Sequence, residues 1–181
     1  MLYGDRIRLR CIEREDIPTF LRWFNDPEVR HGLAMFAPMG KAEEERWFAA
    51  QLEHKDGYLF AIEAFAGTPE SWIHIGTLGL DDIDWKNRSA AFGIALGEKA
   101  FWGQGFGTDA TRTILRFAFG ELNLHRVQLE VFAYNARAIR CYEKAGFRRE
   151  GTRRSALYRD GSYHDAHIMA VLQNEFPAQA A

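Results

Sequence analysis

Apolar and charged positions alternate through Ile7-Arg8-Leu9-Arg10-Cys11-Ile12, which predicts a first strand. From Asp16 the interval changes. Ile17, Phe20, Leu21 and Phe24 recur at helical spacing, with Pro18 in the first turn and a stop near Asn25-Asp26-Pro27. Asp16 is the expected cap of that helix. A second helical pattern covers about residues 42–53 and places Trp47, Phe48 and Leu52 on one side. Strands are predicted at 58–65 and 72–80, separated by the turn chemistry of Ala66-Gly67-Thr68-Pro69-Glu70.

The next strand, 90–96, puts Phe92, Ile94 and Leu96 on one face, with Gly93 inside it and Gly97 behind it. Glycine there marks a bulge or a close approach by backbone or ligand. A helix over 108–120 carries Ala110, Ile114, Phe117 and Ala118, and a strand at 126–132 turns Val127, Leu129 and Val131 one way. Asn135 caps a short helix that runs to Ala145, where Gly146 supplies the left-handed stop. Strands at 147–158 and 162–172 close the chain around the Arg159-Asp160-Gly161 turn. The order predicts a mixed α/β fold, one central sheet flanked by about four helices. Nothing repeats and no linker-like run interrupts it, so residues 1–181 read as one domain with a core at about 6–173.

Composition narrows the class without changing this picture. The 181 residues are 47% apolar and 27% charged, ordinary values for a soluble globular protein. Stretches without a charge, such as 71–80, run only ten residues, where a membrane helix needs roughly 20. The start, Met1-Leu2-Tyr3-Gly4-Asp5-Arg6, has no apolar leader, so a cytoplasmic protein off the membrane is expected. Cys11 and Cys141 then read as two reduced thiols, and His31, His54, His74 and His125 lack metal-ligand spacing, so no metal is expected. Net charge is -2, yet residues 125–160 hold nine Arg and Lys against four Asp and Glu. That surplus suits a phosphorylated ligand, and equally an arginine-rich solvated face.

Two segments carry candidate chemistry. Trp102-Gly103-Gln104-Gly105-Phe106-Gly107-Thr108 lies between a strand and a helix. Alternate glycines turn the backbone tightly and expose its amides, and the helix start behind them attracts phosphate. The spacing matches neither a dinucleotide fingerprint nor a P-loop, and a purely structural turn stays open. In Asn135-Ala136-Arg137-Ala138-Ile139-Arg140-Cys141-Tyr142, Asn135, Ala138 and Tyr142 share one side of a helix. Tyr142 there could protonate a leaving group, or simply pack in the core.

Together these segments, with Leu124-His125-Arg126-Val127 between them and Tyr142-Glu143-Lys144-Ala145-Gly146-Phe147 after them, resemble the GCN5-related N-acetyltransferases (GNAT). The closing Glu150-Gly151 and Tyr158-Arg159-Asp160-Gly161-Ser162-Tyr163-His164-Asp165 are similar to the subgroup of ribosomal-protein N-terminal and spermidine acetyltransferases, as is the opening Leu9-Arg10 with Glu13-Arg14-Glu15-Asp16. Where the family's loop commonly begins with Arg or Gln, this chain has Trp102.

The resemblance implies transfer of an acetyl group from acetyl-CoA to a primary amine by direct attack. Two parallel strands splay, and the pantetheine arm inserts between them. Ile94, Ala95 and Leu96 would lie along the arm, with glycines 93 and 97 beside it. Amides of Gln104, Gly105, Phe106, Gly107 and Thr108 would hold the pyrophosphate, and Asn135 and Ala138 the pantetheine. Tyr142 would protonate the departing sulfur. Glu130 is the candidate base, with Glu63, His164 and Asp165 behind it, and each also reads as an ordinary sheet residue. Ala34-Met35-Phe36-Ala37-Pro38 is apolar where spermidine-type relatives carry acids, so the acceptor expected is a protein or peptide N-terminus or a small amine. Relatives often dimerise; Trp47, Trp72 and Trp85 are the interface candidates, and buried packing explains them equally. The alternative is a module of the same fold that binds CoA without turnover or associates with nucleic acid, which the sequence disfavours.

Overall fold

A computed structural model describes residues 1–53, 55–68 and 71–176. His54 and the Pro69-Glu70 half of the expected turn, and the side chain of Leu52, lie outside the described residues. Eight strands form one sheet: β1 (Leu2–Tyr3), β2 (Ile7–Cys11), β3 (Tyr58–Phe65), β4 (Trp72–Asp84), β5 (Ser89–Leu96), β6 (Arg126–Phe132), β7 (Arg148–Arg159) and β8 (Ser162–Leu172). Their spatial order is β1-β2-β3-β4-β5-β6-β8-β7. All neighbours are antiparallel except β5 and β6.

Helices cover both faces. α1 (Ile17–Phe24), α2 (Pro27–His31) and α3 (Lys41–Glu53) bury Ile17, Phe20, Trp23, Val29 and Phe48 on one side. α4 (Phe106–Arg116) and α5 (Ala136–Ala145) bury Ala110, Ile114, Tyr142 and Ala145 on the other, against Ile7, Leu78, Phe92 and Val127. The alternation in β6 is as its sequence predicts: Val127, Leu129 and Val131 are buried while Gln128 and Glu130 face out.

Two local expectations are corrected and one is extended. Asp16 does not cap α1; its carboxylate accepts from the Glu13 amide at 2.8 Å and from both terminal nitrogens of Arg10 at 2.7 Å. α1 stops where expected, at Phe24 with Asn25 as its C-cap, and Pro27 then opens a further short helix, α2, with the Asp26 side chain accepting from Glu28 N at 2.9 Å. Proline at a first helical position has no amide to waste. α4 begins at Phe106, two residues earlier than Thr108, because left-handed Gly105 (φ 89°) breaks the chain direction immediately before it.

The feature that positions the site is the β5–β6 pair. Only Ser89, Ala90 and Ala91 pair with Arg126, Val127 and Gln128. From Phe92 onward that edge of β5 has no strand partner among the described residues, although its other edge stays paired to β4 as far as Leu96. The parallel strands therefore diverge, leaving exposed peptide groups that must find a partner elsewhere.

Candidate active site

The gap opens into a cavity of about 240 Å³. Ile94, Ala95 and Leu96 line it from β5, Gly105, Gly107 and Thr108 from the head of α4, and Asn135, Ala138 and Tyr142 from α5. These are nine of the residues to which the sequence assigned the cofactor. Gln104 and Phe106 do not line it with them. The Gln104 carbonyl accepts from Arg6 at 2.5 Å, and the Phe106 ring is buried under the Arg6 guanidinium at 4.2 Å.

Gly103 (φ 74°) and Gly105 (φ 89°) both sit where side chains are strained. Gly107 is a close approach: a β-carbon there would lie 3.3 Å from Cys141 Sγ and from Leu96 Cδ1. Gly105 has no side chain to cap α4, so the first amides of that helix point outward without an intrahelical acceptor. The expected role of Gly97 changes. A β-carbon there would fall 1.9 Å from Trp23, so this glycine serves packing of α1 on the sheet, while Gly93 faces open space.

Cationic side chains surround this cradle. Arg137, Arg140 and Lys144 line the cavity. A second hollow of about 290 Å³ shares Gly105, Thr108 and Lys144 with it and adds Arg6, Arg112 and Arg116. Sequence reading missed these last three, which come from two distant segments with no local charge run. Arg137 lies flat on Trp102, 3.6 Å from the ring centroid, and the Trp102 indole donates to Leu96 O at 2.8 Å. Much of the basic stretch 125–160 is consumed internally instead. Arg126 pairs with Glu150, Arg148 with Glu175, and Arg153 with Glu130.

Tyr142 is 8% exposed, with Phe92 edge-on and Phe147 tilted against its ring. Burial pushes its phenol up, and neighbouring Cys141 adds to the shift, so it stays protonated. Asn135 spends its carbonyl oxygen on Ala138 N at 3.1 Å, capping α5. The Thr108 hydroxyl is turned to Cys141 Sγ at 3.5 Å, and burial pushes that thiol up too.

The suggested bases are placed elsewhere. Glu130 faces away from the cavity and is held by Arg153 at 2.6 Å. Glu63 lies between Arg8 at 2.5 Å and Arg10 at 2.8 Å. Burial opposes its charge, but the two guanidinium groups outweigh that and hold it below the usual carboxylate range. Asp165 accepts from Ser155 N, and His164 Nε2 faces Ser162 Oγ and Arg159 O. No cluster of metal-ligating side chains occurs among the described residues, and no helix among them is long and apolar enough to cross a membrane.

The family model for the acetyltransferase (GNAT) domain matches residues 6–148. The chain belongs to the GNAT acetyltransferases. A probable N-acetyltransferase, YjcK of Bacillus subtilis (strain 168), is 34% identical over 95% of this GNAT chain and 97% of its own. The spermidine N(1)-acetyltransferase of Escherichia coli (strain K12) is 31% identical, covering 96% and 89%. The crystal structure of spermidine N-acetyltransferase from Vibrio cholerae in complex with CoA and spermine superimposes with a TM-score of 0.85 at 26% identity, over 95% of this chain and 98% of that one. The fold of this GNAT protein and its place among N-acetyltransferases are thus as its sequence implied.

Proposed function

We propose that this protein transfers the acetyl group of acetyl-CoA to a small primary amine, by direct attack of the amine on the thioester. The observation that carries this reading is the three-residue β5–β6 ladder opening onto a cradle of outward amides and arginines. A pantetheine arm would complete the free edge of β5 at Ile94, Ala95 and Leu96, as a neighbouring strand would. The pyrophosphate would meet the helix start at Gly105, Gly107 and Thr108, with the backbone of Gln104 and Phe106 adjoining. Arg112 and Lys144 suit the remaining phosphate. Asn135 retains its amide hydrogens for the arm, and Ala138 leaves room beside it.

The chemistry needs a neutral amine, donors for the oxyanion, and a proton for the leaving thiolate. An amide of the free β5 edge is the oxyanion donor in this reading. Tyr142 is the acid, since a desolvated phenol holds its proton until sulfur develops charge. Glu130 does not enter the mechanism.

For the acceptor, relatives named for spermidine suggest a polyamine, but the mouth here is differently built. Val29 and Leu33 line it, Phe36 is 85% exposed nearby in sequence, and Glu28, Asp26 and Glu98 are held by Lys99 and Arg22. A monoamine with an apolar portion, or a peptide N-terminus, fits that surface better than a polycation. A cytoplasmic setting, where Cys11 and Cys141 stay reduced, suits the same reading. The test is calorimetry with acetyl-CoA, followed by release of CoA thiol across an amine panel. Micromolar heat and faster turnover of phenethylamine than of spermidine are expected; absence of acetyl-CoA binding would overturn the function.

A further inference from the structure

With every suggested carboxylate engaged, the proton of the incoming ammonium has no obvious acceptor. One imidazole, next in the chain to residues of the cavity lining, has a carboxylate beside it. His31 is the last residue of α2, directly before Gly32 and Leu33, which line the cavity. Its Nδ1 lies 3.3 Å from Asp160 Oδ2 in the β7–β8 turn. Its ring centroid is 4.8 Å from that of Tyr134, whose hydroxyl donates to the His31 carbonyl at 2.8 Å. Tyr134 immediately precedes Asn135, and a β-carbon on Gly32 would lie 3.2 Å from Asn135 Nδ2, so this segment rests on the cavity wall. The ring is 49% exposed, and Nε2 has no partner among the described residues.

We propose that His31, oriented by Asp160, is the base that deprotonates the acceptor amine, directly or through one water. This rests on the acetyl-transfer reading above. A carboxylate at Nδ1 favours the tautomer with the proton on that nitrogen, which leaves the Nε2 lone pair free. Histidine is the side chain most often used for such transfer. The other titratable groups around it are accounted for. The Arg159 guanidinium donates to the carbonyls of Leu33 and Met35, His164 packs edge-on to Tyr134, and Arg30 precedes it on α2. The step balances. The ammonium gives one proton to Nε2, and the freed nitrogen forms its bond to the thioester carbon. The carbon–sulfur bond breaks with its electrons on sulfur, which Tyr142 protonates. Tyr142 recovers the second nitrogen proton, and His31 releases the first to water.

The test compares two acceptors by CoA thiol release: benzylamine, charged at neutral pH, and methoxyamine, neutral there. His31→Gln is expected to slow benzylamine turnover at pH 7 by about tenfold or more, and methoxyamine by about twofold at most. The benzylamine deficit should shrink as pH rises, with acetyl-CoA affinity unchanged, and Asp160→Asn should show a smaller version of the pattern. Equal losses with both amines, or none, would overturn the proposal. Nitrogen-15 NMR of the ring is independent of any acceptor: the Nδ1–H tautomer, weakened in Asp160→Asn, is expected, and a dominant Nε2–H tautomer overturns it. A wild-type protein that binds acetyl-CoA yet is silent toward both amines would count against these acceptors alone, and NMR would then decide the dyad.

Discussion

A phenol buried among aromatic rings cannot give up its proton to solvent, and Tyr142 holds one where the sulfur should depart. Tyr142→Phe keeps the ring packed against Phe92 and Phe147 and removes only that proton. We expect kcat to fall at least about tenfold while acetyl-CoA still binds, read from steady-state kinetics beside calorimetry. Gly105 poses a different residue-scale demand. At φ 89° a β-carbon costs about 1–2 kcal/mol, and the strain falls on the loop that presents the amides. Gly105→Ala should therefore weaken acetyl-CoA binding by about five- to thirtyfold in calorimetry, with little change in kcat at saturation.

At the scale of elements, α4 is held in place by the N-terminal segment. The Asp109 carboxylate accepts from Asp5 N at 3.0 Å and Arg6 N at 2.7 Å, and Gly4 lets the chain pass against it. Asp109→Ala leaves those amides without their acceptor. It should lower stability by about 1–3 kcal/mol in urea titrations and weaken CoA binding at the same helix. This pin could not be read from the sequence, because Asp109 and Gly4 are distant in the chain and neither belongs to a periodic pattern. The strands were legible because each buries one face: Val127, Leu129 and Val131 announce β6 on their own. The glycine loop beside the cavity was legible for a related reason, since positive φ at Gly103 and Gly105 leaves its mark in residue type. Bases were not legible. Glu130 and Glu63 have suitable chemistry and strand positions, yet Glu130 is paired with Arg153 and Glu63 with both Arg8 and Arg10, side chains the sequence gives no reason to aim there. Trp23 against Gly97 shows the same limit, a glycine explained by a partner about 70 residues away.

For the whole molecule, two buried acid systems act in opposite directions with pH. Asp16 is held below the usual carboxylate range: burial raises it, but Arg10, His74 and the Glu13 amide prevail. Its contribution is present at neutral pH and fades as acid protonates it. Glu44 is fully buried with both oxygens unpartnered, and burial, with Glu43 beside it, pushes its carboxyl up to about 7. Below the ordinary value of 4.5 it is protonated in folded and unfolded chains alike and adds no pH-dependent cost. Above that the unfolded chain releases a proton the folded chain retains, so stability falls until pH passes 7. Glu44→Gln should raise stability by on the order of 1–3 kcal/mol at pH 8, and by nothing at pH 4, in thermal melts at both values.

The short parallel ladder also has a mechanical meaning. With three paired positions joining five strands on one side to three on the other, the sheet's own hydrogen bonding is narrowest at this join, and the shared core beneath α4 and α5 carries the rest of the connection. In the proposed reading the coenzyme would act as a suture, supplying the backbone partner that β6 withdraws. Amide exchange at residues 92–96 should slow when CoA binds. Substrate binding and the integrity of the sheet would then be one equilibrium.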